Sequence, residues 1–205
     1  MEIACLDLEG VLIPEIWIAF AEKTGIDKLR KTTRDEPDYD ALMRYRLKIL
    51  QENRLKLEHI QEVIAELKPL DGAIDFIHWL RERFQVVILS DTFYEFAQPL
   101  MKQFDYPALL CHKLHVSDLG YVTGYELRQT NPKRQAIVGF KSMYYRTIAA
   151  GDSYNDVEML QEADAGILFK APKNVIEEFQ QFPSVDTYEG LKSEFISATK
   201  QKIKM

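Results

Sequence analysis

Cysteine is scarce in this 205-residue chain: only Cys5, inside an apolar run, and Cys111, with no metal-ligand spacing around either. That excludes the disulfide framework of a small secreted domain. Glycine and proline are also sparse, 9 and 8 residues, which excludes collagen-like and low-complexity chains. Basic side chains are outnumbered, 26 against 32 acidic, and a net charge of −6 is the wrong sign for a surface that neutralises a nucleic-acid backbone. No run of about 18 apolar residues is free of charge, so no transmembrane helix is expected. The opening residues Met1-Glu2-Ile3-Ala4-Cys5-Leu6-Asp7 have neither the basic start nor the cleavage site of a signal peptide. These absences predict a cytoplasmic protein that binds neither nucleic acid nor membrane, and any anion it binds must be held by a local site. What is present, 46% hydrophobic and 28% charged residues, is an ordinary globular composition. A chain of this length removes roughly 70% of its extended surface from water, enough for one core plus a small appended subdomain.

Short apolar runs of strand length occur at residues 3–8, 86–89, 108–111, 147–150 and 165–169. Between most of them lie amphipathic helical stretches, at 73–84, 93–104 and 132–143. Nearly continuous apolar strands alternating with helices predict an α/β fold, a Rossmann-like parallel sheet with helices on both faces. The gap between the first two strands is far longer than one crossover needs and reads as helical, with helices at 14–25, 39–53 and 57–67, the last closed by Pro69. The expected organisation is therefore a catalytic core of residues 1–13 and 71–205 with a helical cap of residues 14–70. A cap inserted after the first strand stands over the carboxyl edge of the sheet, where a lid belongs. Residues 116–127, with Asp118-Leu119-Gly120 at the turn, read as a β-hairpin.

Ligands bind at the carboxyl ends of the strands in such sheets, so the polar residues there carry the information. Asp7-Leu8-Glu9-Gly10 puts two carboxylates at i and i+2 where a buried strand gives way to a turn. Gly151-Asp152-Ser153-Tyr154-Asn155-Asp156 follows another apolar strand, with Asp152 or Ser153 suited to cap the next helix. A capped turn explains one acid, but not two acids and an amide crowded together. Ser90 ends the second buried strand and Lys133 opens the helix at 132–143. Together these segments supply a carboxylate nucleophile, a neighbouring acid, a hydroxyl, a fixed cation and acids able to hold a divalent ion of the Mg²⁺ kind. That is a set for phosphoryl transfer. In the second cap helix, Leu42, Met43, Tyr45, Ile49 and Leu50 form one apolar arc and Arg46 falls inside it, whereas Arg44 and Lys48 lie opposite. An arginine whose stem covers apolar surface is the common reading of such a position.

The order and spacing of Asp7-Leu8-Glu9-Gly10, Ser90, Lys133 and Gly151-Asp152 with Asn155-Asp156 resemble the haloacid dehalogenase superfamily. The helical cap and the Gly-Asp-Ser-Tyr-Asn-Asp motif are similar to those of its phosphoserine phosphatases. Two departures, Glu9 where the family usually has Asp and Asp91-Thr92 where phosphoserine phosphatases usually have glycines, resemble the subgroup that also transfers phosphate from phosphoserine to homoserine. The resemblance implies Asp7 as nucleophile and Glu9 as general acid and base. It implies Mg²⁺ held by Asp7, the Glu9 backbone carbonyl and Asp152, with Asp156 behind them. Lys133 and Ser90 are then expected to hold the phosphate, with Asp91 and Asn155 as substrate contacts. The cap Arg46 would grip the substrate carboxylate, and Glu15 is the candidate for its ammonium, unless Glu15 only complements a helix dipole. Phosphoserine and homoserine are the expected partners, and the alternatives are another small phosphorylated metabolite or a receiver-like switch phosphorylated on Asp.

Overall fold

The computed structural model describes residues 1–199 except 33, 34 and 37. Seven strands, β1 (Glu2–Leu6), β2 (Gln85–Phe93), β3 (Ala108–Val116), β4 (Val122–Glu126), β5 (Arg146–Gly151), β6 (Ala165–Phe169) and β7 (Ser184–Val185), form one sheet in the order β4-β3-β2-β1-β5-β6-β7. Every pairing is parallel except β3 with β4. The helices are α1 (Ile16–Thr24), α2 (Tyr39–Glu52), α3 (Leu57–Glu66), α4 (Ala73–Arg81), α5 (Tyr94–Met101), α6 (Pro132–Ser142), α7 (Val157–Glu162), α8 (Lys173–Glu178) and α9 (Tyr188–Ala198). The chain runs from β1 outward through β2 to β3, then returns to lay β5 on the other side of β1. This reversal makes the carboxyl ends of β1 and β5 the crevice of the sheet.

Strand β1 shows why its sequence is apolar throughout. Alternate side chains leave opposite faces of a strand: Ala4 and Leu6 enter a core shared with α1, α3, α4 and α9, while Ile3 and Cys5 enter a second core with α6, α7 and α8. Both faces are covered, so neither needs a polar residue. The helical cap after β1 packs against the sheet. Phe20 of α1, Met43 and Ile49 of α2, and Ile60 and Ile64 of α3 belong to the same core as Leu6 and Phe93 of the sheet. Among the described residues no helix is long and apolar enough to cross a membrane.

The structure departs from the sequence reading in three places. The run at 108–111 and the first arm of the hairpin at 116–127 are one strand, β3, which pairs with β2 at its start and with β4 at its end. Its outer half alternates exposed Lys113 and His115 with buried Leu114, an edge pattern that hides continuity with the apolar half. Strand β2 continues through an irregularity between Leu89 and Phe93, so the following helix starts at Tyr94 rather than 93. Finally, α8, β7 and α9 follow residue 169, where the sequence reading placed no elements. Helix α9 buries Tyr188, Leu191 and Phe195, a helical spacing that was legible.

Phe195 is fully buried, with its ring 6.0 Å from that of Phe76 and 5.7 Å from that of Phe84, and it locks α9 onto α4. Phe195→Ala leaves a cavity there and should cost about 3–5 kcal/mol, at roughly 2–4 °C of Tm per kcal/mol for a chain of this size. Differential scanning calorimetry measures this directly; an unchanged Tm would show that α9 contributes nothing to the core.

Candidate active site

The site is built where β1 and β5 end. The Asp7 N–H donates to the Ala150 carbonyl (3.0 Å), extending the β1–β5 ladder by one residue and fixing the Asp7 backbone. The carboxylate is then oriented by the Leu8 N–H, which donates to Oδ1 at 2.8 Å, and by Lys133 Nζ, 2.9 Å from the same oxygen. The chain turns away at Gly10, whose φ of +78° favours glycine, and a Cβ there would lie 2.5 Å from the Asp152 carboxyl carbon. Glycine therefore both makes the turn and lets Asp152 approach Asp7.

The second loop is organised by Asp156, which is fully buried. Its Oδ2 accepts the N–H groups of Asp152 (3.0 Å) and Ser153 (3.2 Å), and its Oδ1 accepts from Lys133 Nζ at 2.7 Å. A Cβ at Gly151 would sit 2.4 Å from the Asp156 Cβ, so no other residue permits this approach. The expected helix cap is a smaller feature: Ser153, not Asp152, precedes a 3-10 turn at Tyr154–Asp156, and α7 begins after it. Lys133, in the first turn of α6, is 3% exposed and meets Asp156, Asp7 and, at 3.5 Å, Asp91. Burial pulls its ammonium down, but the Asp156, Asp7 and Asp91 charges outweigh it and hold it well above the ordinary lysine value.

Asp7, Asp152 and Asp156 each bring a carboxylate oxygen within 4.8 Å of the others. Burial and the Asp156 and Asp152 charges push the Asp7 carboxyl well above the usual range, against the pull of Lys133. Among the described residues, the Lys133 ammonium does not offset what burial and the Asp156 and Asp152 charges do to Asp7. A hard divalent cation that prefers carboxylate and carbonyl oxygen fits that imbalance, and Mg²⁺ is such an ion.

Glu9 and Glu15 face each other at the mouth. Glu9 Oε2 accepts the Ile16 N–H at 2.8 Å, so Glu9 tethers the first turn of α1. Burial and the Glu15 charge raise its carboxyl to about 8, opposed by the Ile16 N–H and Arg46. Glu15 occupies the N-cap position of α1 but makes no capping bond; its side chain lines the cleft instead. Arg46 is 7% exposed, its guanidinium 4.5 Å from the Trp17 ring centroid. Its Nη2 donates to the Lys31 carbonyl at 2.9 Å, while its Nε is buried with no partner among the described residues. Burial lowers it to about 10, against the charges of Glu9, Tyr39 and Glu15. Ser90 is 3% exposed, and its Oγ accepts the Thr92 N–H at 3.2 Å. Asn155 Nδ2 donates to Asp91 Oδ2 at 3.0 Å.

One cleft is lined by Asp7, Glu9, Glu15, Arg46, Ser90, Asp91, Lys133, Asp152 and Asn155, with Asp156 beneath its floor. The candidates from the sequence are thus brought together. Sequence reasoning missed Trp17, Thr32, Tyr39, Thr92 and Ser153, which also line it. Trp17 lies on the buried face of α1 and carries no signal separating it from core. The Tyr39 hydroxyl donates to the Asp91 carbonyl across 52 residues of chain, a contact no local pattern announces.

The haloacid dehalogenase-like hydrolase family matches residues 1–164 of this chain. Phosphoserine phosphatase ThrH of Pseudomonas aeruginosa is 69% identical over 205 residues, covering all of both chains. A phosphoserine phosphatase of Pseudomonas syringae pv. tomato is 67% identical over 203 residues, 99% of this chain and 86% of that one. Among solved structures, a phospho-aspartyl intermediate analogue of phosphoserine phosphatase matches with a TM-score of 0.78 at 22% identity, covering 94% of this chain and 98% of that one. At that identity the likeness is one of fold.

Because one ammonium compensates several buried carboxylates, its removal leaves uncompensated charge. Lys133→Met should lower stability by about 3–5 kcal/mol in urea titrations of the metal-free protein. Stability equal to the parent would mean that the carboxylates are not charged together around it.

Proposed function

The chain belongs to the haloacid dehalogenase-like hydrolases, and from that premise we propose that it is a magnesium-dependent phosphoserine phosphatase. It works through an aspartyl phosphate on Asp7 and also passes the phosphoryl group to homoserine. The observation that carries this reading is the pairing of Asp7, oriented by Leu8 and Lys133, with a Glu9 carboxyl raised to about 8 in the same cleft. With added positive charge from a bound divalent ion to keep Asp7 ionised against its burial and the Asp156 and Asp152 charges, such a pair would offer an aimed nucleophile beside a proton donor at neutral pH. Asp7 Oδ attacks phosphorus while Glu9 gives its proton to the departing serine oxygen, help worth about 10²–10⁴-fold in rate. The ionised Glu9 then takes a proton from water or from the homoserine hydroxyl as that oxygen attacks the aspartyl phosphate, which restores Asp7.

Asp7, Asp152 and the Glu9 backbone carbonyl would hold Mg²⁺, which would supply positive charge against the repulsion between carboxylate and phosphate. Lys133 and Ser90 hold phosphate oxygens as donors already in place, with Asn155 and Asp91 bordering them. Asp156 keeps its oxygens on Lys133 and the loop N–H groups and so acts behind the metal. Arg46 and Glu15 receive the carboxylate and ammonium of the amino acid; the Arg46 Nε, buried with no partner among the described residues, supports this, since a guanidinium edge suits a carboxylate. Residues 14–70 serve as the lid over a core of residues 1–13 and 71–205, and the cytoplasm is the expected compartment. A receiver-like switch finds no support, because its phosphorylated Asp has no use for a buried arginine over the cleft.

Purified protein given radiolabelled phosphoserine should release inorganic phosphate only with magnesium present, and saturating homoserine should divert label into phosphohomoserine. Asp7→Asn, with a normal circular-dichroism spectrum, should do neither. Label confined to inorganic phosphate removes the transferase activity, and no release at all overturns the reading.

Arg46→Ala should raise KM for phosphoserine at least tenfold, as expected for losing a charged hydrogen-bond partner, while hardly changing hydrolysis of p-nitrophenyl phosphate, which has no carboxylate. Equal losses on both esters would make Arg46 a packing residue of the cap.

A further inference from the structure

Asp91 is held by partners from several elements. Its backbone carbonyl accepts from the Tyr39 hydroxyl (2.9 Å), and its Oδ2 accepts from Asn155 Nδ2 (3.0 Å) and lies 3.5 Å from Lys133 Nζ. Its Oδ1 lies 3.6 Å from Nε2 of His112 on β3. Although burial works against the charge, Lys133, His112 and Asn155 keep Asp91 well below the ordinary carboxylate range. His112 is 2% exposed and cannot turn freely, because its ring packs edge-on against Tyr39 with centroids 5.9 Å apart. Its Nδ1 accepts the Arg128 backbone N–H at 3.1 Å, and an accepting Nδ1 places the ring proton on Nε2, the side facing Asp91. At 3.6 Å this is longer than a direct hydrogen bond, yet close enough for the N–H dipole to attract the carboxylate.

An ammonium has three N–H donors. Asp156 at 2.7 Å and Asp7 at 2.9 Å account for two of the three on Lys133. The third goes either to a phosphate oxygen or to Asp91, which stands just beyond hydrogen-bond distance. We propose that His112 is a positioning residue whose Nε2–H, acting with Asn155, keeps the Asp91 carboxylate off Lys133 and so leaves the third ammonium donor to the phosphate group. This rests on the phosphatase reading, in which Lys133 meets phosphate. It predicts an effect on every phosphate-bearing ligand, whether or not it carries an amino acid, which separates His112 from Arg46.

Two near-isosteric replacements divide the two jobs of the ring. Glutamine at 112 retains an amide N–H near the Nε2 position and loses the acceptor for Arg128; asparagine retains an acceptor near Nδ1 and loses the donor towards Asp91. Calorimetric titration with inorganic phosphate in the presence of magnesium should show Kd raised about fivefold in His112→Asn and within about twofold of the parent in His112→Gln. KM for phosphoserine and for p-nitrophenyl phosphate should rise in parallel, with kcat little changed. In an Asp91→Asn background the His112→Asn effect should vanish, because nothing is left to hold away. Equal losses in both single variants, a larger loss in His112→Gln, unchanged affinity in His112→Asn, or a loss that persists without the Asp91 charge would each overturn the proposal. Failure of the parent protein to hydrolyse phosphoserine would count against the phosphatase reading alone, since the phosphate affinities still judge His112.

Discussion

A single ammonium, Lys133 Nζ, lies 2.7 Å from Asp156, 2.9 Å from Asp7 and 3.5 Å from Asp91, and the architecture of the cleft follows from it. These partners come from the loop after β5, the end of β1 and the end of β2, so one side chain on α6 ties together three strand ends at the crevice of the sheet. Burying charges is costly unless each finds partners. Here the cost is offset by backbone donors: two N–H groups on Asp156 and one on Asp7. The same donors aim the carboxylates, so what lets the cluster be buried also orients Asp7.

The cap is coupled to this cluster through Glu9. Its carboxyl accepts the first N–H of α1 and lies beside Glu15 and Arg46, so the group assigned the proton transfers also anchors the helix that carries the lid. Arg46 is held in turn by Trp17 of α1 and the Lys31 carbonyl. Since α1, α2 and α3 share a core with β1 and β2, Arg46 and Glu15 stand in a defined relation to Asp7 and Lys133. Such preorganisation is what the proposed transfer to an alcohol, in competition with roughly 55 M water, requires. Asp91 sits between the two halves, its carbonyl bound by Tyr39 of the cap and its carboxylate facing core residues.

Much of this was written in local pattern. Apolar runs covered on both faces, each ending in a polar residue, marked Asp7, Ser90 and Asp152 as neighbours at one sheet edge before any coordinates, because a parallel sheet brings its strand ends together. Helical periodicity likewise singled out Arg46 as a charge inside an apolar arc, and it proves buried. The amino-acid order therefore determined the fold class, the insertion after β1 and the chemistry of the motifs. It did not reveal β3 as one strand, since its edge half alternates as a hairpin does, nor the elements after Phe169. Tertiary structure alone decided which carboxylate does what: Asp156 became the scaffold because its oxygens meet Lys133 and two N–H groups. The Glu9 carboxyl is raised because burial and the Glu15 charge act on it, against the α1 N–H that it accepts. Trp17 and Tyr39 reach the cleft, and His112 reaches Asp91, only through packing across distant segments. Composition and spacing report which groups a chain possesses, but burial and the distance between charges set their protonation and their partners, and both exist only once the chain has folded.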